Sequence, residues 1–271
     1  MDIDAYFERI GYSGGREPTA ENLAALVQAH RFTVPYENLD IWRGRHTTLA
    51  IDDLFDKIVT RRRGGYCFEL NGLFAQLLRE LGYRVREYFG RWLFAEEMEI
   101  PPKRHRVPVV ALPGRPNLIA DVGIGLPFLT GPMEFVFDTP QRIDDKTYRI
   151  VRDETLVCIV EVLKRDGTWT RVFSFDTTPQ LPVDFAYVHY WCENHPTSDF
   201  RQKLSVFLPA AGGAYRAIVA EFDPETAERV PMLIHVPGGG GTQTKRALRG
   251  EAALAAALKE DFGIEEGEHG A

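Results

Sequence analysis

At Tyr83 the hydrophobic pattern of this 271-residue chain changes period, and that switch limits the fold to a mixture of helices followed by strands. Up to about residue 85 the apolar side chains recur at helical spacing. Asp2 or Asp4 caps a first short helix through Ile10. Pro18-Thr19 leads into a second, with Leu23, Leu26, Val27 and His30 on one face. Pro35 biases Val34 to an extended link. Asp52 or Asp53 opens a third helix through Val59. A fourth carries Leu70, Leu73, Phe74, Leu77, Leu78 and Leu81 and stops at Gly82. Short β-rich runs then follow at 85–93, 106–112, 118–124, 135–137, 147–151, 156–163 and 168–174. So many short strands predict a barrel or sandwich. From Asp184 the pattern is mixed, with strands at 204–208, 217–222 and 229–234, a helix over Glu251–Phe262 and a frayed acidic tail, EEGEHGA.

The fourth helix has a cysteine at its head. Cys67 follows Gly64-Gly65-Tyr66, so it sits where a helix leaves its first N–H groups unpaired. That field, with a nearby imidazolium, is expected to draw a thiol pKa from about 8.5 into the range of roughly 3.5–7.5. Cys67 therefore reads as a nucleophile. The remaining cysteines do not: Cys158 lies in an apolar run, Leu-Val-Cys-Ile-Val, and Cys192 reads as packing. Three widely spaced cysteines without metal-ligand spacing support neither a disulfide framework nor a metal site, and a reducing cytoplasm fits them. A net charge of −7 argues against nucleic acid or an anionic membrane as partner. No apolar run reaches membrane-spanning length, and the acidic N-terminus does not read as a signal peptide.

A cysteine nucleophile needs a base, and the base needs a group to orient it. His105 lies at the edge of one predicted strand, and Asp121 lies inside the apolar run of the next, where a carboxylate is costly without a partner. If residue 105 opposes 121, 123 or 125, both side chains leave one face of the sheet. A Cys67–His105–Asp121 triad then follows, with His105 as base and Asp121 holding the imidazole. Blander roles also fit. His105 stands in a basic turn beside Lys103, Arg104 and Arg106, and Asp121 suits a turn acceptor or an arginine partner. Two glycine-rich segments carry no phosphate signal. PGGGGTQTK at 237–245 lacks the spaced Gly-Lys-Ser/Thr, and Gly123-Ile-Gly125 is too short for a dinucleotide site.

With these residues in view, the chain resembles the arylamine N-acetyltransferases over nearly its whole length. The matching segments are RIGYSG (9–14), TVPYENLDI (33–41), RRGGYCFELN (62–71), KRHRVPVV (103–110), ADVGIG (120–125), FDTTPQLPVDF (175–185), NHPTSDF (194–200) and LKEDFGI (258–264). The resemblance implies an α+β fold with a cysteine-protease-like core. Residues 1–85 would form a helical bundle carrying the nucleophile, 86–185 a β-barrel carrying the histidine and aspartate, and 186–271 an α/β lid. It puts Cys67, His105 and Asp121 on the family's triad. It also implies ping-pong acetyl transfer through an acetyl-cysteine, with acetyl-CoA as co-substrate, no permanently bound cofactor and small aromatic amines or hydrazines as acceptors. Tyr36, Phe68 and Phe200 would contact the acceptor, Tyr36 standing where many members have phenylalanine. Gly125 and Gly131 bound the loop that would admit CoA, although Leu126 replaces a common second glycine. Glu37 and Arg63 match a structural ion pair, and the Cys67 N–H with a backbone N–H near Phe68 or His105 would form the oxyanion hole.

Three other functions use similar residues. An amide synthase of the same superfamily would close a macrolactam from a carrier-bound thioester. A cysteine peptidase or transglutaminase-like hydrolase shares the Cys…His…Asp order. A binding module would use Cys67 for packing only. The acceptor, the acyl-chain preference and the oligomeric state are not encoded in these motifs.

Overall fold

The computed structural model describes residues 1–95, 98, 100–223, 226 and 228–266. Helix α1 (Ile3–Ile10) is capped by Asp2, which accepts from Ala5 N at 3.0 Å, and ends at Gly11 in the left-handed region. Helix α2 (Ala20–Thr33) is capped by Thr19 in the same way. A two-residue strand β1 (Tyr36–Glu37) and a single turn α3 (Leu39–Trp42) lead to α4 (Ile51–Phe55). Neither Asp52 nor Asp53 caps α4. Its N-cap is Ala50, and both acids sit in the first turn, where the helix field favours negative charge. The helix then widens into a π-helical turn over Asp56–Thr60, so the predicted helix through Val59 is not one regular α-helix. Helix α5 (Cys67–Glu80) runs through the middle of this lobe. Its residues 67–75 are all buried, and Leu70, Leu73, Phe74, Leu77 and Leu78 pack with Tyr6, Leu23, Leu26 and Ile58.

Eight antiparallel strands follow. They are β2 (Arg84–Trp92), β3 (Lys103–Ala111), β4 (Leu118–Ile119), β5 (Met133–Glu134), β6 (Gln141–Ile143), β7 (Lys146–Asp153), β8 (Val157–Leu163) and β9 (Trp169–Phe175), arranged β5-β4-β3-β2-β9-β8-β7-β6. The sheet curls into a nearly closed barrel. The Gln141 side chain links its two edges, accepting from Glu134 N at 2.8 Å and donating to Glu134 O at 2.9 Å. Tyr88, Val107, Ile119, Ile150, Val160, Phe173 and Phe175 fill the interior. Two predicted strands are corrected. The 118–124 run pairs only at Leu118 and Ile119, because residues 121–123 turn away to hydrogen-bond with α5 and pack on it. The 135–137 strand lies instead at 133–134, with Phe137 making one isolated bridge to Ile150.

The last third contains α6 (Phe185–Asn194), α7 (Asp199–Gln202), β10 (Ser205–Pro209), β11 (Tyr215–Phe222), β12 (Arg229–Val236), β13 (Thr244–Ala247) and α8 (Glu251–Phe262). Helix α8 matches its predicted bounds. Helix α6 escapes a periodicity reading because FAYVHYWCEN is aromatic on every side. The sheet order β1-β10-β11-β12-β13 brings Tyr36 and Glu37 into the last lobe, so the lobes interlock through β1. The glycine run at 238–241 lies between the antiparallel strands β12 and β13, with no helix after it to receive a phosphate. The tail from 267 to 271 lies outside the described residues. Among those described, no helix is long and apolar enough to cross a membrane.

Candidate active site

The double glycine is what allows Cys67 to lie where it does. A Cβ on Gly64 would stand 2.1 Å from the Pro35 carbonyl oxygen, so no other residue fits there. Gly65 pairs with the segment before it, donating to Pro35 O at 3.4 Å and accepting from Glu37 N at 2.9 Å. The next N–H, that of Tyr66, donates to Glu69 Oε2 at 2.9 Å and closes the start of α5. Glu69 is fixed in turn by Lys57 at 2.7 Å, and Lys57 also meets Asp40 at 2.8 Å. Arg63 completes the set, 2.8 Å from Glu37 and 3.3 Å from Asp40. Burial alone would raise the Asp40 carboxyl, but Lys57 and Arg63 hold it down to about 2. These charges sit beneath the turn that presents the thiol.

His105 and Asp121 form a hydrogen-bonded pair, and the Cys67 thiol lies beside it, its Sγ 3.5 Å from the Arg104 carbonyl oxygen and its charge coupled to His105. The Asp121 Oδ2 atom lies 2.5 Å from His105 Nε2, which leaves Nδ1 for the Cys67 thiol. The chain after β4 explains how. Val109 faces Ile119 and Val110 faces Leu118, and beyond that short pairing residues 121–123 turn onto α5, so none of the three expected pairings of residue 105 forms and the turn itself brings Asp121 to His105. Both members of the His–Asp pair are buried, His105 at 2% exposure and Asp121 at 0%. Asp121 Oδ1 accepts from Asn71 Nδ2 at 2.8 Å and from Gly123 N at 2.9 Å. Asn71 also accepts from Val122 N at 2.8 Å. It sits one helical turn after Cys67, on the same face of α5. A Cβ on Gly123 would come 2.7 Å from Cys67 Cα, so this backbone lies directly on the nucleophile's own.

The electrostatics differ from the expectation of an acidic thiol. Burial pushes the Cys67 thiol up, and the hydrogen bond and charge of His105 only partly oppose it. For His105 burial acts downward. The Asp121 charge and hydrogen bond outweigh it and raise the imidazole from 6.5 to about 10. The helix field alone does not create a thiolate at this buried position.

The other residues singled out in the sequence have these places. Tyr36, Phe68 and Phe200 all belong to the aromatic cluster around Cys67, with Tyr66, Phe89, Phe185 and Cys192. Phe200 meets Tyr66 edge to face at 5.1 Å. Tyr36 faces Phe207 at 5.9 Å, and burial with the Cys67 and Cys192 sulfurs raises its hydroxyl. Phe68 is fully buried between Tyr66, Phe89 and Phe185. Gly125 lies against the Phe207 ring and Gly131 against Ile143. Cys158 is buried inside the barrel and Cys192 on the buried face of α6, and all three cysteines are free. Sequence reading missed Asn71, Lys57 and Glu69. Glu69 left half a signal, an acid at the third helical position, but Tyr66 is not a capping residue type. Asn71 left the four-residue spacing from Cys67.

A buried thiol, a basic imidazole and an orienting carboxylate can carry an acyl group as a thioester. Comparison with known proteins narrows the class. The N-acetyltransferase family model matches residues 19–268. An arylamine N-acetyltransferase of Mycobacterium tuberculosis H37Rv is 34% identical, over 97% of this chain and 89% of its own length. The solved arylamine N-acetyltransferase of Salmonella typhimurium superposes with a TM-score of 0.87 at 29% identity, covering 99% of this chain and 94% of that one. That of Mycobacterium marinum in complex with CoA gives 0.85 at 32% identity, covering 97% and 93%. Sequence and backbone agree through all three lobes, and on that extent of match the chain belongs to the arylamine N-acetyltransferase family and is an acyltransferase.

Proposed function

We propose that this protein transfers acetyl groups from acetyl-CoA to arylamines or arylhydrazines in two steps through an acetyl-Cys67 intermediate. The observation that carries the reading is the His105 imidazole, held by Asp121 on one nitrogen and facing the thiol with the other. In the first step the thiol proton is carried by His105 as imidazolium, the form the Asp121 charge favours, and Cys67 Sγ attacks the thioester carbonyl as the thiolate. The tetrahedral adduct collapses with loss of the CoA sulfur, which leaves with the proton from His105. In this reading the Cys67 N–H, at the head of α5, supplies one donor to the oxyanion. In the second step the amine nitrogen attacks acetyl-Cys67, His105 takes its proton, and the cysteine sulfur departs to regenerate the resting enzyme. Weakly basic aromatic amines suit this step because they are unprotonated near neutral pH. Tyr36 and Phe200 wall the acceptor side, and the loop from Gly125 to Gly131 admits the CoA chain.

Mass spectrometry of the protein after brief exposure to acetyl-CoA tests the first step. An acetyl adduct on Cys67, discharged by an aromatic hydrazine with release of CoA, is expected. An unmodified Cys67 would overturn the reading and favour a binding module that uses Cys67 for packing only. Asp121→Asn is expected to remove most transfer, by roughly 10⁴-fold if it acts as in other triads. A fully active variant would exclude the assigned role of Asp121.

A further inference from the structure

Arg31 is a large buried cation that the chemistry above leaves unused. It sits near the end of α2 and is 1% exposed. Its Nη1 donates to the Val122 carbonyl at 2.7 Å, and its guanidinium lies 5.5 Å from the centre of the Phe128 ring. Nε and Nη2 are buried without a hydrogen-bond partner. Burial lowers its guanidinium to about 10 and the charges of Asp121 and Tyr148 oppose that only in part, so the cation is kept at a cost that an apolar side chain of the same volume would avoid. A packing role alone therefore does not account for it.

What Arg31 touches is the two ends of a single segment. Between Val122 and Phe128 lie Gly123, whose backbone rests on Cys67, and Gly125, which rests on the Phe207 ring next to Tyr36. The rest of the segment is fixed from other sides. Asn71 holds Val122 N, and the Tyr148 hydroxyl donates to the Phe128 carbonyl. Arg31 spans both ends, by a hydrogen bond at one and a cation–ring contact at the other. Gly123 in this strip lies on the Cys67 backbone, so the course of the strip shapes the surface beside the nucleophile.

We infer that Arg31 is a positioning residue for the acyl donor: it sets the course of residues 122–128 over Cys67 and so controls how the thioester is received. The inference rests on the two-step reading above, in which donor and acceptor react in separate half-reactions. That separation supplies the test. In such a scheme kcat/KM for the donor reports only the first half-reaction and kcat/KM for the acceptor only the second.

Steady-state kinetics with acetyl-CoA and an aromatic hydrazine would be measured for wild type, Arg31→Lys, Arg31→Met and Phe128→Leu, with circular dichroism to verify folding. Arg31→Met is expected to lower kcat/KM for acetyl-CoA by about tenfold while kcat/KM for the hydrazine stays within about twofold. Arg31→Lys, which keeps the charge without the fork, should fall between. The Arg31→Lys/Phe128→Leu double variant should lose less than the sum of the singles, because both act on one contact. An equal fall in both ratios, as a smaller folded fraction would give, overturns the inference, and so does no change in either. Should Arg31→Met fail to fold, the lysine and Phe128→Leu variants decide by the same criterion. Wild type that forms no acetyl-Cys67 overturns the two-step reading itself, whereas wild type that forms it while the variants show no split overturns only the role of Arg31.

Discussion

At the scale of single residues, two buried pairs carry charge in different ways. His105 and Asp121 form a pair whose charge state changes within reach of ordinary buffers. The folded imidazole is raised to about 10 by Asp121, above the unfolded value of 6.5. Its protonated form therefore stabilises the fold fully below about pH 6.5, and that contribution is lost as pH rises through about 10. Urea midpoints of wild type and His105→Gln should differ most at the acid end of this window and converge toward its alkaline end. A gap that does not change with pH would contradict the coupling. Glu37 and Arg63 form an ion pair buried at 0% and 2% exposure. Arg63→Met strands the Glu37 carboxylate, and equilibrium unfolding should show a loss of about 3–5 kcal/mol. Adding Glu37→Gln to that variant should restore part of it. The same logic explains what was legible at this scale. Cys67, His105 and Asp121 were named from residue type and setting alone, whereas Arg31 and Lys57 look like ordinary surface cations until the fold buries them.

Among elements, the N-terminus of α5 decides whether there is a site at all. Its position depends on Gly64 lying against Pro35 O, on Glu69 capping Tyr66 N, and on Lys57 reaching Glu69 from the π-helical turn. Gly64→Ala places a Cβ on a backbone oxygen that cannot yield as a flexible side chain would. Denaturant melts should show a cost of at least about 3 kcal/mol, toward the upper end for one substitution. A variant as stable as wild type would mean that the 35–37 and 64–66 segments can move apart. Helices α1, α2, α5 and α8 were readable because each has an amphipathic stripe or a cap. Strand β3 was readable as a strand from its β-branched run, although it is buried on both faces. The predicted strand at 118–124 failed for a tertiary reason: Asn71 and Cys67 claim the backbone of residues 122 and 123 before it can pair. Apolar runs signal burial, and they do not specify which partner supplies the hydrogen bonds.

Across the whole molecule, the helical, barrel and terminal lobes meet at Cys67, and Asn38 is a principal tie between the first and last. Its Nδ2 donates to Phe200 O and to Lys203 O, and its Oδ1 accepts from Ser205 N, each at 2.8 Å. Asn38→Ala leaves these backbone groups without that partner. Thermal unfolding should register a loss of about 1–3 kcal/mol, and the acceptor KM should rise as Phe200 loses its anchor. An unchanged acceptor KM would detach Phe200 from acceptor binding. The order of helices, barrel strands and mixed segments was determined by the sequence itself, because periodicity, caps and turn residues are local properties of a chain. The choice of Cys67 was equally local, since glycines, cysteine and helix start are contiguous. Its surroundings were decided only by the tertiary structure. The thiol is buried enough that the helix field does not ionise it, β1 joins the distant β10, and Asn71 and Arg31 converge on one seven-residue strip over the nucleophile. Burial, long-range pairing and the satisfaction of buried donors depend on residues far apart in the chain, so local pattern cannot encode them.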